Sequence, residues 1–250
     1  MTVTMPNNSK AELVFALWHF ASLNHRNLQE YQQIAGWSNW AFNMFLLLKP
    51  GLCNVYVKMQ GKMNLFAGIA LNNTVKDNLF WLMDHIEESN EICCFDSIDW
   101  DPILDATITI LCNVCLNGMG FWVPKIACGF VCLTPELSEG EEVTFFFEAL
   151  CVCATIHWIA DTPSPMLHKC VMIFMDNINT IDIFNSLRVM PTYNPILKLA
   201  VDIIISHCID LYVLYISGPE NDVRHIVMFT VLKGLGFDAS SSSSTIETSS

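Results

Sequence analysis

The chain is poor in positive charge. Its 250 residues hold 12 Lys and Arg against 25 Asp and Glu, a formal charge of −13 with a pI near 4.7. No basic tract interrupts the sequence, and such a balance opposes capture of a phosphate backbone. A signal-like start is also missing, because Met1 to Lys10 is polar. The 11 cysteines therefore read as free thiols in a reducing, intracellular compartment, cytoplasmic or nuclear, rather than as a disulfide frame. No unbroken membrane span is evident either. Mean hydropathy is high at +0.39, and Ala106 to Pro124 is uncharged over a length that meets the spanning criterion. That stretch is broken by Asn113, Asn117, Gly118, Gly120 and Pro124, and Thr107 and Thr109 alternate with Ile108 and Ile110. Two strands joined by a tight turn are expected there, and no membrane.

What is present is ample apolar material, 52% of residues, enough for a sizeable core. Residues 1 to about 90 read as helical. Ser9-Lys10-Ala11-Glu12 has capping-box form, followed by Leu13, Leu17, Phe20 and Ala21 at helical spacing. Asn27-Leu28-Gln29-Glu30 opens a second helix that Gly36 is expected to stop. A third is expected from Ser38 to Leu48, ended by Lys49-Pro50-Gly51, with Trp37, Trp40, Ala41, Phe45 and Leu48 for burial. Thr74-Val75-Lys76-Asp77 starts a fourth with Val75, Leu79, Leu82, Met83 and Ile86 on one face.

Past Trp100-Asp101-Pro102 the pattern changes. Thr107 to Cys112, Gly118 to Val123 and Ile126 to Val131 read as an antiparallel meander. An acidic loop, Glu136 to Glu142, leads to a helix over Val143 to Ala160 with an expected inner stripe of Val143, Phe147, Leu150, Ala154 and Trp158. Val171 to Met175 then reads as a buried strand, ended by Asp176, with Asn177 as the N-cap of the next helix. A carboxylate at the carboxyl end of a central strand faces the crevice where α/β proteins bind ligands. A helix follows Pro195, with Ile196, Leu199, Ala200, Ile203, Ile204 and His207 on one side, and Leu211 to Ile216 is the last strand. The order is β-β-β-α-β-α-α-β. The Ser-rich stretch 236–250 lacks the apolar residues that would order it.

In this order of elements, residues 101 to about 229 resemble the ribonuclease H domain of reverse-transcribing elements, especially fungal retroelement polyproteins. The stretches that carry the resemblance are TITILCNVCLNGMGFWVP, FFFEALCVCATIHWIAD, IFMDNINTIDIFNSLR, YNPILKLAVDIII and LYVLYISGPEND. Residues 28 to 52 look like the thumb and connection helices upstream of such a domain, with no polymerase palm and no Asp-Asp dipeptide, so polymerase activity is set aside. The resemblance implies an α/β, ribonuclease H-like mixed sheet over 101–235, behind a helical remnant over 1–100 and ahead of the tail.

It also implies two-metal hydrolysis of RNA in an RNA–DNA hybrid, with hard oxygen ligands holding Mg²⁺ or Mn²⁺. Four carboxylates usually serve. Glu148 matches the one on the first helix and Asp176 the one ending the fourth strand. At the first-strand position Cys112-Asn113-Val114-Cys115 stands where the family has Cys-Asp-x-Cys. After the last strand, His225 falls where the last acid belongs, in Asn221-Asp222-Val223-Arg224-His225. An Asn oxygen is a neutral ligand, which weakens the hold on two mutually repelling dications, and imidazole is a poor partner for Mg²⁺. The expectation is a retained fold with hybrid cleavage impaired or lost. The alternative is a non-catalytic interaction or vestigial protein that keeps the fold without metal. Residues 101–235 carry 6 Lys and Arg against 14 Asp and Glu, which weakens any hold on a hybrid.

Each residue also has an ordinary reading: Asp176 as a loop or cap acid, Glu148 as a solvent-facing helix acid. Cys112 and Cys115 suggest zinc with Cys128 and Cys132, but residues three apart on a strand point to opposite faces, and the expectation is buried thiols, as for Cys151, Cys153, Cys93 and Cys94. His157 and His168 are read as structural, and the Trp37/Trp40 pair as core.

Overall fold

The computed structural model describes residues 2–3, 5–89, 92–93, 101–115, 118–134, 141–162 and 169–217. His225, Asp222, His168, Cys94, most of the acidic loop and the Ser-rich tail lie outside the described residues. The first half carries β1 (Thr2–Val3), α1 (Asn7–Ser22), β2 (His25–Asn27), α2 (Leu28–Ala41), a 3₁₀ turn (Leu46–Leu52), α3 (Cys53–Met59), β3 (Gly68–Ala70), α4 (Asn73–Glu88) and β4 (Ile92–Cys93). β1 pairs with β4 and β2 with β3, both antiparallel.

The helix starts were read with uneven success. Asn27 caps α2 in a full capping box, its side chain accepting from the Glu30 backbone N–H while Glu30 accepts from the Asn27 N–H. The Ser9 box does not form, since α1 starts earlier, at Asn7, with Pro6 as its cap. Gly36 does not stop a helix: α2 runs through it to Ala41. Leu28, Tyr31, Ile34, Ala35, Ser38 and Ala41 are buried along that continuous face, and packing outweighs the roughly 1 kcal/mol a helical glycine costs. The expected third helix is thus the end of α2 plus a 3₁₀ turn, and Trp40 lies 49% exposed rather than in the core. The face expected on α4 is buried as read, although its cap is Asn72 and not Thr74. These helices enclose one hydrophobic cluster, including Leu13, Leu17, Tyr31, Leu52, Leu79 and Leu82.

The second half holds β5 (Ile108–Cys115), β6 (Gly118–Val123), a 3₁₀ turn (Pro124–Ile126), β7 (Cys128–Leu133), α5 (Glu141–Asp161), β8 (Lys169–Met175), α6 (Ile178–Ser186), α7 (Asn194–Ser206) and β9 (Ile209–Tyr215). The third strand begins two residues later than expected because Pro124 nucleates the 3₁₀ turn, which closes at Ala127 in the left-handed region. One sheet results, in the order β7-β6-β5-β8-β9. The meander strands are antiparallel, while β8 and β9 add in parallel through helical crossovers. This is the mixed α/β sheet expected of the chain, and it accounts for the uncharged Ala106 to Pro124 stretch as β5 and β6.

Ile110, Cys112, Ile173, Met175 and Val213 share the face that α5, α6 and α7 cover, in one cluster with Val152, Ile156, Leu197 and Ile204. Leu111, Cys115, Trp122 and Val131 pack together on the other face. Two helical stripes differ from expectation. α5 buries Phe147, Glu148, Cys151, Val152, Thr155, Ile156 and Ile159, leaving Ala154 exposed and Leu150 and Trp158 half-buried. α7 buries Leu197, Ala200, Val201 and Ile204, leaving Leu199 and His207 exposed. α5 is apolar nearly all round, so periodicity alone does not select its face, whereas in α7 the polar stripe Lys198, Asp202 and Ser206 marks one side. Within α5, Thr144–Asp161 is apolar and long enough to cross a membrane by length and composition, with half of it buried inside the protein.

Polar contacts join the two halves. Asp202 of α7 accepts from the indole N–H of Trp81 at 2.6 Å and contacts His85 Nε2 at 2.8 Å, both from α4. Lys198 donates to Asn78 and lies 5.0 Å over the Trp81 ring. At the free edge of the sheet, Asn185 of α6 acts as a substitute strand: its Oδ1 accepts from the Val213 N–H at 3.1 Å and its Nδ2 donates to the Val213 carbonyl at 2.8 Å. An unpaired edge is a template for association. Asn185→Ala is expected to lower unfolding free energy by about 1–3 kcal/mol and to promote aggregation, measured by urea denaturation and light scattering. Unchanged values for both would show that the edge does not depend on Asn185.

Candidate metal centre

The site is built from the parallel register of β5 and β8. Ile108 stands opposite Val171, Thr109 opposite Met172, Ile110 opposite Ile173 and Leu111 opposite Phe174. The pairing ends at Leu111 and Phe174, with Asn113 two residues further along β5 and Asp176 two residues further along the chain that leaves β8. Asn113 is buried on β5 at 4% exposure and pairs across the sheet with Gly120. Asp176 is half-buried and follows β8 directly.

Asn177 then turns the chain into α6, its side chain accepting from the backbone N–H groups of Asn179 and Thr180. This cap, expected from the sequence, has a consequence that was not. It fixes the first turn of α6 so that Thr180, fully buried, donates its hydroxyl to Glu148 Oε2 at 3.3 Å. Glu148 reaches the same place from α5 and is itself buried at 6% exposure. Burial pushes its carboxyl up to about 7, the Thr180 hydrogen bond pulls it down, and the neighbouring Asp176 charge raises it further. The last effect places the two carboxylates within electrostatic reach of one another.

Of the four residues singled out in the sequence, Glu148 and Asp176 lie within electrostatic reach of one another, Asn113 lies two residues past the last β5–β8 pair and alternates with Cys112 to the other face of β5, and His225 falls outside the described residues. Thr180 was missed. The only available signal was its place three residues after a capping Asn, which sequence reading treated as helix initiation alone. Among the described residues no three His, Cys, Asp or Glu side chains form a ligand group. The donors brought within reach of one another here are two carboxylates, hard oxygens of the kind that suits Mg²⁺ or Mn²⁺.

The cysteines contribute no competing centre. Cys112 contacts the Thr155 hydroxyl at 3.3 Å, and Cys151 donates to the Gly120 carbonyl at 3.4 Å. The hydrogen bond with Cys112, followed by burial, holds Cys151 well above the ordinary thiol range, and a protonated thiol is the wrong form for a metal ligand. Cys132, by contrast, is exposed. His157 pairs with Asp161 at 3.2 Å on the exposed side of α5.

A scan against protein-family models finds no match, and a search of curated proteins finds none. Among solved structures, the fold is similar to LC11-RNase H1 in complex with an RNA/DNA hybrid, at 15% identity over 51% of this chain and 99% of that one, TM-score 0.40. It is also similar to the foamy viral protease-reverse transcriptase in complex with an RNA/DNA hybrid, at 11% identity over 84% of this chain and 27% of that one, TM-score 0.29. At these values the likenesses bear on neither residue roles nor activity.

The raised Glu148 carboxyl has a defined sign. Between its ordinary value of 4.5 and about 7 the folded state holds a proton that the unfolded state has released, so stability falls as pH rises through that window. Glu148→Gln removes the ionisation. The variant is expected to exceed the parent by about 1–2 kcal/mol near pH 8 and to match it below 4.5, read from urea denaturation at several pH values. A parent whose stability rises across the window would contradict the assignment.

Proposed function

We propose that residues 101–235 form a retroelement-derived ribonuclease H-like domain, ancestrally a two-metal hydrolase of RNA in RNA–DNA hybrids, whose activity is impaired or lost. Residues 1–100 are the accompanying helical remnant of a reverse transcriptase. The observation that carries the reading is the closeness of Glu148 to Asp176, where the chain leaves β8, with the Thr180 hydroxyl bonded to Glu148.

A pair of divalent ions about 3.5–4 Å apart would supply an activated water and stabilise the leaving oxygen. Glu148 and Asp176 would hold them, with Asn113 and His225 standing where that chemistry calls for further carboxylates. Asp176 contributes charge from the strand end. Glu148 must first lose a proton that burial favours keeping, so its ligand strength is greatest above neutral pH. Asn113 offers a neutral oxygen, which leaves the pocket short of the charge needed to hold two dications against their mutual repulsion. One weakly held hard cation is the capacity that remains.

The non-catalytic alternative draws on the supply of cations. Of the described Lys and Arg in this half, Lys169 is buried, donating to the carbonyls of Ile159 at 2.6 Å and Thr162 at 3.1 Å at the end of α5. Lys198 is engaged with Asn78 and Trp81. Lys125 and Arg188 are left exposed, too little to displace many counterions from a duplex.

Cleavage of a labelled RNA–DNA hybrid in Mg²⁺ and Mn²⁺ is the test. The parent is expected to cut at or near background, and the double change Asn113→Asp with His225→Asp to raise the rate at least tenfold, an increase abolished by Asp176→Asn. Robust cleavage by the parent would overturn the proposed impairment. No gain in a folded double variant would favour the non-catalytic reading.

A further inference from the structure

A groove between α1 and α4, on the opposite half of the molecule from the carboxylate pair, has about 500 Å³ of open volume. Its lining includes Phe15 and Trp18 from α1 and Phe80 from α4, which are 65%, 54% and 41% exposed. Phe15 and Trp18 lie side by side, ring centroids 6.2 Å apart and planes tilted by 30°. Beneath them Met83 and Val14 belong to the core of the helical half. Three large aromatic side chains exposed around one concavity exceed the scattered apolar residues that any surface carries.

Charge identifies the occupant. Lys10 lines the groove, but its ammonium donates to the backbone carbonyls of Glu87 and Ser89, where it serves the end of α4. Asp84 and Glu87 also line the groove, and among the described residues neither forms a salt bridge. The rim thus sets two carboxylates, Asp84 and Glu87, against the one ammonium of Lys10, a net negative charge around the aromatic side chains. Nucleic acid fits poorly, since bases could stack on the rings only by bringing phosphates toward carboxylates. A second copy of a chain with charge −13 meets the same repulsion.

We propose that the α1/α4 groove is a docking site for a cationic amphipathic helix of a partner protein. The helix inserts a large apolar side chain among Phe15, Trp18 and Phe80 and sets Lys or Arg against Asp84 and Glu87. Aromatic anchoring supplies affinity, and the acidic rim supplies steering and selection of basic partners.

The test uses the full chain and a fluorescein-labelled 18-residue helical peptide of Leu, Trp and Lys, with a second peptide carrying Glu in place of Lys. Anisotropy is expected to show saturable binding of the basic peptide alone. The double change Asp84→Lys with Glu87→Lys, and separately Phe15→Ser with Trp18→Ser, should each weaken it at least tenfold, with unchanged circular dichroism and melting temperature. Asp161→Lys with Asp182→Lys, on exposed acids of the other half, should weaken it less than twofold. Equal weakening by both charge reversals would reduce the binding to net charge and overturn the site. So would absence of binding, equal binding of the acidic peptide or of a single-stranded oligonucleotide, or a concentration-dependent dimer in sedimentation that Phe15→Ser with Trp18→Ser abolishes.

Discussion

The parallel pairing of β5 with β8 is the constraint on which the sheet half depends. Ile110 and Ile173 are fully buried partners in it, and the covered face they share fixes the register, since a slip of one residue would turn the slipped strand inside out. Once that register holds, the position of every polar group beyond it follows. Asn113 continues one strand, Asp176 ends the other, and α5 lies across the face bearing Cys112, close enough for Thr155 to contact its sulfur at 3.3 Å. The carboxylate pair is a product of hydrophobic registration as much as of its own chemistry.

On the proposed reading, that origin allows a carboxylate pair to persist without its function. Nothing in the packing of β5 requires an acid at position 113, and a buried amide lacks the desolvation cost of a second or third buried carboxylate. Glu148 already shows that cost, its carboxyl raised to about 7 by burial and by Asp176. Without a dication to offset the repulsion, an amide at position 113 costs the fold less than a further acid would. The proposed shortage of charge beside Glu148 and the cations tied up in structure, Lys169 at the end of α5 and Lys198 on Trp81, act in the same direction.

Much of this was legible in the chain because local signals agreed with the packing. The buried run Val171 to Met175 and the Asn177 cap gave strand and helix start together, and the alternation around Ile108 and Ile110 separated two strands from a membrane span. The failures arose where one signal was opposed or undetermined. Gly36 marks a stop in isolation, but the α2 face buries Ala35 and Ser38 beside it, and packing carries the helix onward. In α5 the apolar residues surround the axis, so its inner face is chosen by partners, Thr180 for Glu148 and Cys112 for Thr155, that sequence spacing does not reveal. Lys10, read only as part of the Ser9 box, serves the α4 terminus instead.

The central claim is that the pocket between Glu148 and Asp176 keeps a hard-cation character while lacking the charge for a metal pair. Anomalous diffraction from crystals equilibrated with Mn²⁺ above neutral pH addresses it directly. One partly occupied Mn²⁺ bound by Glu148 and Asp176 is the predicted result. Two fully occupied ions about 3.5–4 Å apart, or Mn²⁺ bound only away from these two carboxylates, would contradict it.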